Sequence, residues 1–333
     1  MMRWLRKRAV DPADDAHEAG EADIRSAYRL LLGREPDAHG LRTHLQWARE
    51  HHVKPVDIAR RFMDSDEYRA RAMSEAELVR VEMDGYSVFP RRGDELIGAG
   101  VIQNGQYEPH VTGVFEKSLH PGAYVLDVGA NIGLYTMRAA ARVGSSGKVI
   151  AVEPLPQNHK ALYAGISHNG FSNIWVLPFA ASASAGLVPA ICAPNSSNGI
   201  VGVRSPGVSQ EMHVPTCRLD DVLSNLPRLD LVKMDIEGHE PVAWEGMTAL
   251  MERHRPSVFT EFNPIAMRNV GQDEMEYLQA LFEYGGRVLV LHRETEAVAC
   301  CDAAAVMEEW ATVNRKLHLD GEMHLDLYIE RPN

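Results

Sequence analysis

The stretch from Tyr124 to Gly133 constrains this chain more than any other. Tyr124-Val125-Leu126-Asp127-Val128 is an apolar, β-branched run, the pattern of a strand buried on both faces. It breaks at Gly129 and restarts after Gly133 as a helix, Leu134 to Ala141. A strand that turns on glycine into a helix opens a nucleotide-type site. Glycine lets the backbone turn tightly and a ligand approach, and the exposed helix N–H groups face that ligand.

Two details point away from a dinucleotide. Asn131 stands where a pyrophosphate-binding loop wants glycine, and Asp127 ends the strand just before the loop. A carboxylate there repels a diphosphate but suits the ammonium group of S-adenosylmethionine. The next apolar run, Lys148 to Val152, ends on Glu153, 20 residues after Gly133. An acid at that strand tip can accept both ribose hydroxyls. An ordinary βαβ unit with chance acids is the competing reading. The ordered succession of strand, loop, helix, strand and acid weighs against it.

The alternation continues. A helix is expected over Pro156 to His168 and a strand over Asn173 to Leu177. Residues 187–216 interrupt with added strands at Leu187–Ile191 and Glu211–Thr216, around a polar loop at Pro194–Gly199. Core strands follow at Leu229–Asp235 and Ser257–Phe262, with a helix through Trp244 to Met251 between them. A helix at Met275–Tyr284 ends on Gly285-Gly286. Strands at Arg287–Leu291 and His324–Ile329 close the chain. No comparable helix pattern separates these last two, so an antiparallel final strand is expected. The sum is an α/β domain over residues 121–333, with a seven-stranded, mostly parallel sheet and helices on both faces.

Ahead of it, residues 20–75 read as a small all-helical unit. Helices are expected at Ile24–Leu32, Leu41–His51 and Pro55–Met63, with Ser65-Asp66-Glu67-Tyr68 capping a fourth. Residues 76–120 read as a link that covers the substrate, with Ser87–Pro90 and Asp94–Ile97 as short strands or turns. Tyr107, Glu108 and His110 are its substrate-side candidates. Residues 1–19 read as a flexible basic tail. Met1 to Arg8 carries cations and Trp4 but no apolar signal segment, so it is a solvated tail or a weak contact to an anionic membrane surface.

Composition narrows the classes. A net charge of −12 argues against a general nucleic-acid binder. Four cysteines without Cys-x-x-Cys spacing indicate neither a zinc site nor a disulfide framework, and fit reduced thiols in the cytoplasm. No apolar run is long enough to span a membrane.

The second informative cluster is Lys233-Met234-Asp235-Ile236-Glu237-Gly238-His239-Glu240. Asp235 ends a strand, beyond which ligands bind in such sheets. Glu237, His239 and Glu240 offer a base, a proton shuttle or metal ligands. Together with Asp127 to Gly133, Glu153-Pro154, Gly246-Met247 and Glu261, this cluster resembles the FkbM family of S-adenosylmethionine-dependent methyltransferases over roughly residues 85–330. The resemblance implies a Rossmann-like class I methyltransferase fold and O-methylation of a hydroxyl on a sugar, polyketide or similar product. Cys217-Arg218, where a plain Thr-rich strand is commoner, and His239, where a small residue is usual, depart from the pattern. The helical unit, through Tyr28 to Asp37, Gly40-Leu41 and Phe62 to Tyr68, resembles a bacterial domain of unknown function found beside glycan-handling enzymes and in surface proteins.

The resulting expectations are specific. Asp127, Gly129, Asn131, Gly133, Tyr135, Glu153 and Asp235 bind S-adenosylmethionine. Glu237 or His239 removes the acceptor proton, while Asp235 holds the cofactor's amino acid end or the acceptor. No metal ligands are assigned, although a divalent-cation version would use Asp235, Glu237 and Glu261. His292, His318 and His324 read as structural or surface residues. The acceptor is a carbohydrate or small-molecule hydroxyl. The helical unit docks a protein partner or supports a homo-oligomer. The competing classes are a non-catalytic adaptor and a nicotinamide-dependent oxidoreductase.

Overall fold

The computed structural model describes residues 18–65, 67–68, 78–94, 97–192, 199–201, 211–319, 321 and 323–331. The expected basic tail, the cap at Asp66, and the loop at Pro194–Asn198 lie outside these residues, wholly or in large part. The chain divides into two compact units, residues 1–77 and 78–333.

The first unit is helical. α1 (Glu21–Ala27) runs through a wider turn at Tyr28–Leu32 and stops at Gly33, in the left-handed region at φ 64°. α2 (Ala38–His51) is capped by Asp37, whose side chain accepts from the His39 and Gly40 N–H groups. α3 (Pro55–Met63) follows. Ile24, Tyr28, Ala48, Ile58 and Phe62 form its core. Gly40 has a packing reason: a Cβ there would lie 2.3 Å from the Tyr28 hydroxyl.

In the second unit, β1 (Val81–Glu82) and β2 (Ser87–Val88) form a short hairpin, followed by α4 (Ile97–Asn104) and α5 (Pro109–Ser118). Of the expected strand or turn at Asp94–Ile97, residues 95 and 96 lie outside the described residues, and Ile97 opens α4, a helix the sequence reading missed. This segment is built into the domain. Ser87 and Asn169 exchange two hydrogen bonds of 2.8 Å, and Tyr86, Val88, Ile97 and Val101 share a core with Met137 and Leu162.

The main sheet has eight strands, in the order β13-β12-β14-β11-β10-β3-β4-β5. They are β3 (Tyr124–Val128), β4 (Lys148–Val152), β5 (Ile174–Leu177), β10 (Leu231–Met234), β11 (Ser257–Phe262), β12 (Val288–Leu291), β13 (Val298–Cys300) and β14 (Leu325–Ile329). β3, β4, β5, β10 and β11 run parallel, and β14 is antiparallel to β11 and β12, as expected. The eighth strand, β13, is a three-residue edge strand too short to carry a period.

α6 (Leu134–Val143) and α7 (Pro156–Asn169) supply the crossovers after β3 and β4. A smaller sheet, β6-β9-β7-β8, joins Ala180–Ala181, Glu211–Cys217, Gly186–Cys192 and Gly199–Val201. α8 (Leu219–Val222) leads into β10.

Two expectations are corrected. The helix through Trp244 to Met251 is two helices, α9 (Glu240–Glu245) and α10 (Thr248–His254). The chain breaks at Gly246, where a Cβ would lie 2.0 Å from the Ser182 carbonyl oxygen. After α11 (Pro264–Asn269) and α12 (Glu274–Tyr284), a 14-residue helix, α13 (Ala303–Lys316), separates β13 from β14. Its many alanines and short apolar stripe hid it.

Candidate active site

The chain leaves β3 toward β4 on one side, while β10 flanks β3 on the other. The strand order reverses there, and the crevice beyond such a reversal is where open α/β sheets bind ligands. A cavity of about 340 Å³ lies at this point. Its lining includes Gly129, Ala130 and Asn131 of the glycine loop with Glu153, Leu155 and Asn158, and also Tyr107, Glu108, Asp235, Glu237, Glu261 and His324.

The loop after β3 is held from behind. The Gly129 and Ala130 N–H groups donate to the Val152 carbonyl at 2.9 and 3.0 Å. Gly129 sits at φ 86°, and a Cβ on it would lie 1.9 Å from the Asp235 carbonyl oxygen. Only glycine fits there. Glu153 is buried at the tip of β4. Its carboxylate accepts from the Asn131 and Leu155 N–H groups at 2.8 and 2.9 Å and from the Asn158 amide at 3.2 Å. Burial nevertheless pushes it up to about 7.

Two expected cofactor residues do not line the cavity. Asp127 shares a face of β3 with Val125, as strand alternation requires, and that face packs under α6. Its carboxylate accepts from the Thr136 hydroxyl, and burial raises it to about 6. Asp127 therefore anchors the helix behind the loop. Gly133 is a packing glycine, since a Cβ on it would meet Leu162 at 2.6 Å. Tyr135 does reach the cavity, and its hydroxyl donates to Glu108 at 2.7 Å.

The lining is also rich in carboxylates. Lys233, a fully buried lysine in β10, lies 3.1 Å from Asp235 and 4.9 Å from the Tyr135 ring centroid. Burial opposes its charge, but Asp235, Glu108 and Asp326 hold it protonated. Burial would likewise raise Asp235, yet Lys233 and a hydrogen bond from Glu261 keep it below the usual carboxylate range. Glu261 is raised well above that range by burial and by Asp235, so it is the protonated member of the pair. Glu237 occupies a left-handed conformation at φ 57°, and burial plus Asp235 raise it to about 7. Three of the six non-glycine residues with positive φ in the described chain, Glu108, Asn131 and Glu237, line this cavity. Such strain gathers at functional sites.

Asp235, Glu237 and His239 all line the cavity. Burial lowers His239 to about 4, and Glu237 feels the charge of Asp235. The His239 Nε2 is buried without a hydrogen-bond partner among the described residues. Glu240 faces away from the cavity. Its Oε1 accepts from the Ile236 N–H at 2.8 Å and so closes the turn after β10.

Of the substrate-side candidates, Tyr107 and Glu108 line the cavity, while His110 is turned to Asp326 at 2.8 Å. His324, read from sequence as structural or surface, is a cavity residue, and Lys233, Asn263 and Asp326 were given no role. A lysine inside a parallel strand was the available signal for the first of these.

Residues 127–288 match the family described as the methyltransferase FkbM domain. Among solved structures the chain is similar to methyltransferase FkbM from Methylobacillus flagellatus KT, at 16% identity over 93% of this chain and 60% of that one, TM-score 0.38. It is also similar to a SAM-dependent methyltransferase from Aquifex aeolicus, at 15% identity over 69% and 96% of the two chains, TM-score 0.35. A SAM-dependent O-methyltransferase from Thermotoga maritima is similar at 11% identity over 70% of each chain, TM-score 0.37. No curated protein matches the chain. The glycine cradle at Gly129, the acid at Glu153 and the cavity's size fit S-adenosylmethionine. Residues 127–288 form a methyltransferase domain of the FkbM family, and its cofactor is S-adenosylmethionine.

Proposed function

We propose that this methyltransferase acts on a hydroxyl oxygen of a sugar or sugar-bearing small molecule. The observation that supports this reading best is that one cavity is lined both by a glycine loop and by a group of carboxylates. The cofactor supplies an electrophilic methyl group on a cationic sulfur. The protein's tasks are then to align an acceptor oxygen and to remove its proton. Gly129, Asn131, Tyr135, Glu153 and Asp235 form the cofactor's walls. Glu237 takes the hydroxyl proton. Its pKa of about 7 leaves about half of it ionised, and so able to accept, at neutral pH while keeping it a usable base. Asp235 stays ionised beside Lys233 and sustains the negative field at this end. Tyr107, Asn263 and the carboxylates offer hydrogen-bonding groups to neighbouring hydroxyls, and their charge repels anionic acceptors.

The test is calorimetric titration with S-adenosylhomocysteine beside NADH, followed by methyl transfer to a panel of neutral glycosides. Binding of the first ligand only, and a 10²–10⁴-fold loss of transfer in Glu237→Gln, are expected. If Glu237→Gln and His239→Ala both transfer methyl at the parental rate, the assignment of the base is wrong. Binding of neither ligand would favour an adaptor role, with the helical unit docking a partner.

A further inference from the structure

Glu108, His324 and Asp326 come from opposite ends of the second unit and converge beside the cavity, which Glu108 and His324 line. Glu108 precedes α5, His324 precedes β14, and Asp326 lies within β14. One ligand atom from each falls within 4.8 Å of the others, the one such group among the described residues. The trio imagined from sequence, Asp235, Glu237 and Glu261, does not converge in this way.

We propose that Glu108, His324 and Asp326 bind a divalent cation of the Mg²⁺ or Mn²⁺ class. Two carboxylates with one imidazole are a donor set for a hard to borderline ion. In octahedral coordination at about 2.1 Å, neighbouring ligands lie about 3 Å apart and opposite ones about 4.2 Å. The His324 Nε2 and the nearer Asp326 oxygen are 3.8 Å apart, too far to hydrogen-bond and within that range.

A separate observation points to a missing partner. The His324 Nε2 is shielded from solvent and has no hydrogen-bond partner among the described residues. Two members are also held by neighbours. The Tyr135 hydroxyl donates to Glu108 at 2.7 Å, and His110 bonds the Asp326 oxygen that faces His324, at 2.8 Å; Glu261 lies nearby, 3.6 Å from the His324 Nδ1. Outer groups of this kind fix ligands in metal sites. Lys233 already offers one positive charge to Glu108, Asp235 and Asp326, but the carboxylates here outnumber it. Resting on the methyl-transfer reading, the bound ion would orient the acceptor hydroxyl and make it more acidic, and Glu237 would receive its proton.

The test is titration of the metal-free full chain with MnCl₂, reading free Mn²⁺ by electron paramagnetic resonance. One equivalent should bind. Asp326→Asn and His324→Ala should each weaken binding at least 10-fold, and His110→Ala should weaken it by a similar factor through Asp326. S-adenosylhomocysteine binding, measured on the same samples, reports whether each variant is folded. Should Asp326→Asn misfold, the half-buried His324 is the less demanding site to change. Absence of Mn²⁺ binding at millimolar concentration, or binding unaltered in His324→Ala, overturns the proposal. Either result with S-adenosylhomocysteine still bound leaves the methyltransferase reading intact. Loss of S-adenosylhomocysteine binding by the parent protein would instead refute that reading.

Discussion

Glu240 offers the sharpest test of the electrostatics around β10. Its side chain is buried, its Oε1 accepts the Ile236 N–H, and its Oε2 has no hydrogen-bond partner among the described residues. Burial pushes its pKa to about 8. A carboxyl raised in the folded state contributes stability below its unfolded pKa, near 4.3, and loses it as pH rises through the folded value. From pH 5.5 to 7.5 the folded chain therefore holds about one proton more than the unfolded chain at this group. At about 1.36 kcal/mol per pH unit, the loss over two units is about 2.7 kcal/mol. Glu240→Gln keeps the acceptor for Ile236 and puts an N–H₂ where the acid O–H stood, but it does not titrate. Melting curves of both proteins at the two pH values isolate the group, since other titrations cancel in the difference. At about 2 °C per kcal/mol for a unit of this size, the Gln variant should gain about 5 °C on the parent between pH 5.5 and 7.5. An unchanged Tm difference would show that Glu240 ionises with an ordinary pKa and that the buried turn is wetter than the packing indicates.

Three further outcomes follow from the same geometry. Gly129→Ala forces a Cβ into the Asp235 carbonyl at a left-handed position, which alone costs about 1–2 kcal/mol, so titration calorimetry should show S-adenosylhomocysteine affinity falling at least 10-fold. Lys233→Met leaves Asp235 buried without its cation, and calorimetric melting should register a loss of about 3–5 kcal/mol; a neutral effect would mean that Asp235 takes up a proton instead. Glu237 must be ionised to act as base, so single-turnover methyl transfer should rise about tenfold per pH unit below about 7 and level above it, and this limb should vanish in Glu237→Gln.

The glycine-loop part of the cavity was legible because it is local. Gly129, Asn131, Glu153 and Asp235 stand at strand ends, where an apolar run followed by a glycine or an acid marks position in the fold. Asp127 shows the limit of that reasoning. A strand-end acid looks the same in sequence whether it points into the crevice or under the next helix, and one step along a strand reverses the face. The acceptor side was harder to read because it is assembled from distant pieces. Glu108 precedes a proline-started helix and His324 precedes an edge-proximal strand, and neither sits in a local pattern. α13 escaped for a related reason, since alanine-rich turns show little polar and apolar contrast.

The Ser87–Asn169 clasp and the His110–Asp326 bond tie the leading segment of the second unit to α7 and to β14. β3, β4 and the glycine loop can therefore be inherited unchanged while the chain before β3 and around β14 is exchanged. New acceptor preferences would arise by editing the margins of the domain, with the donor machinery carried along as a fixed part.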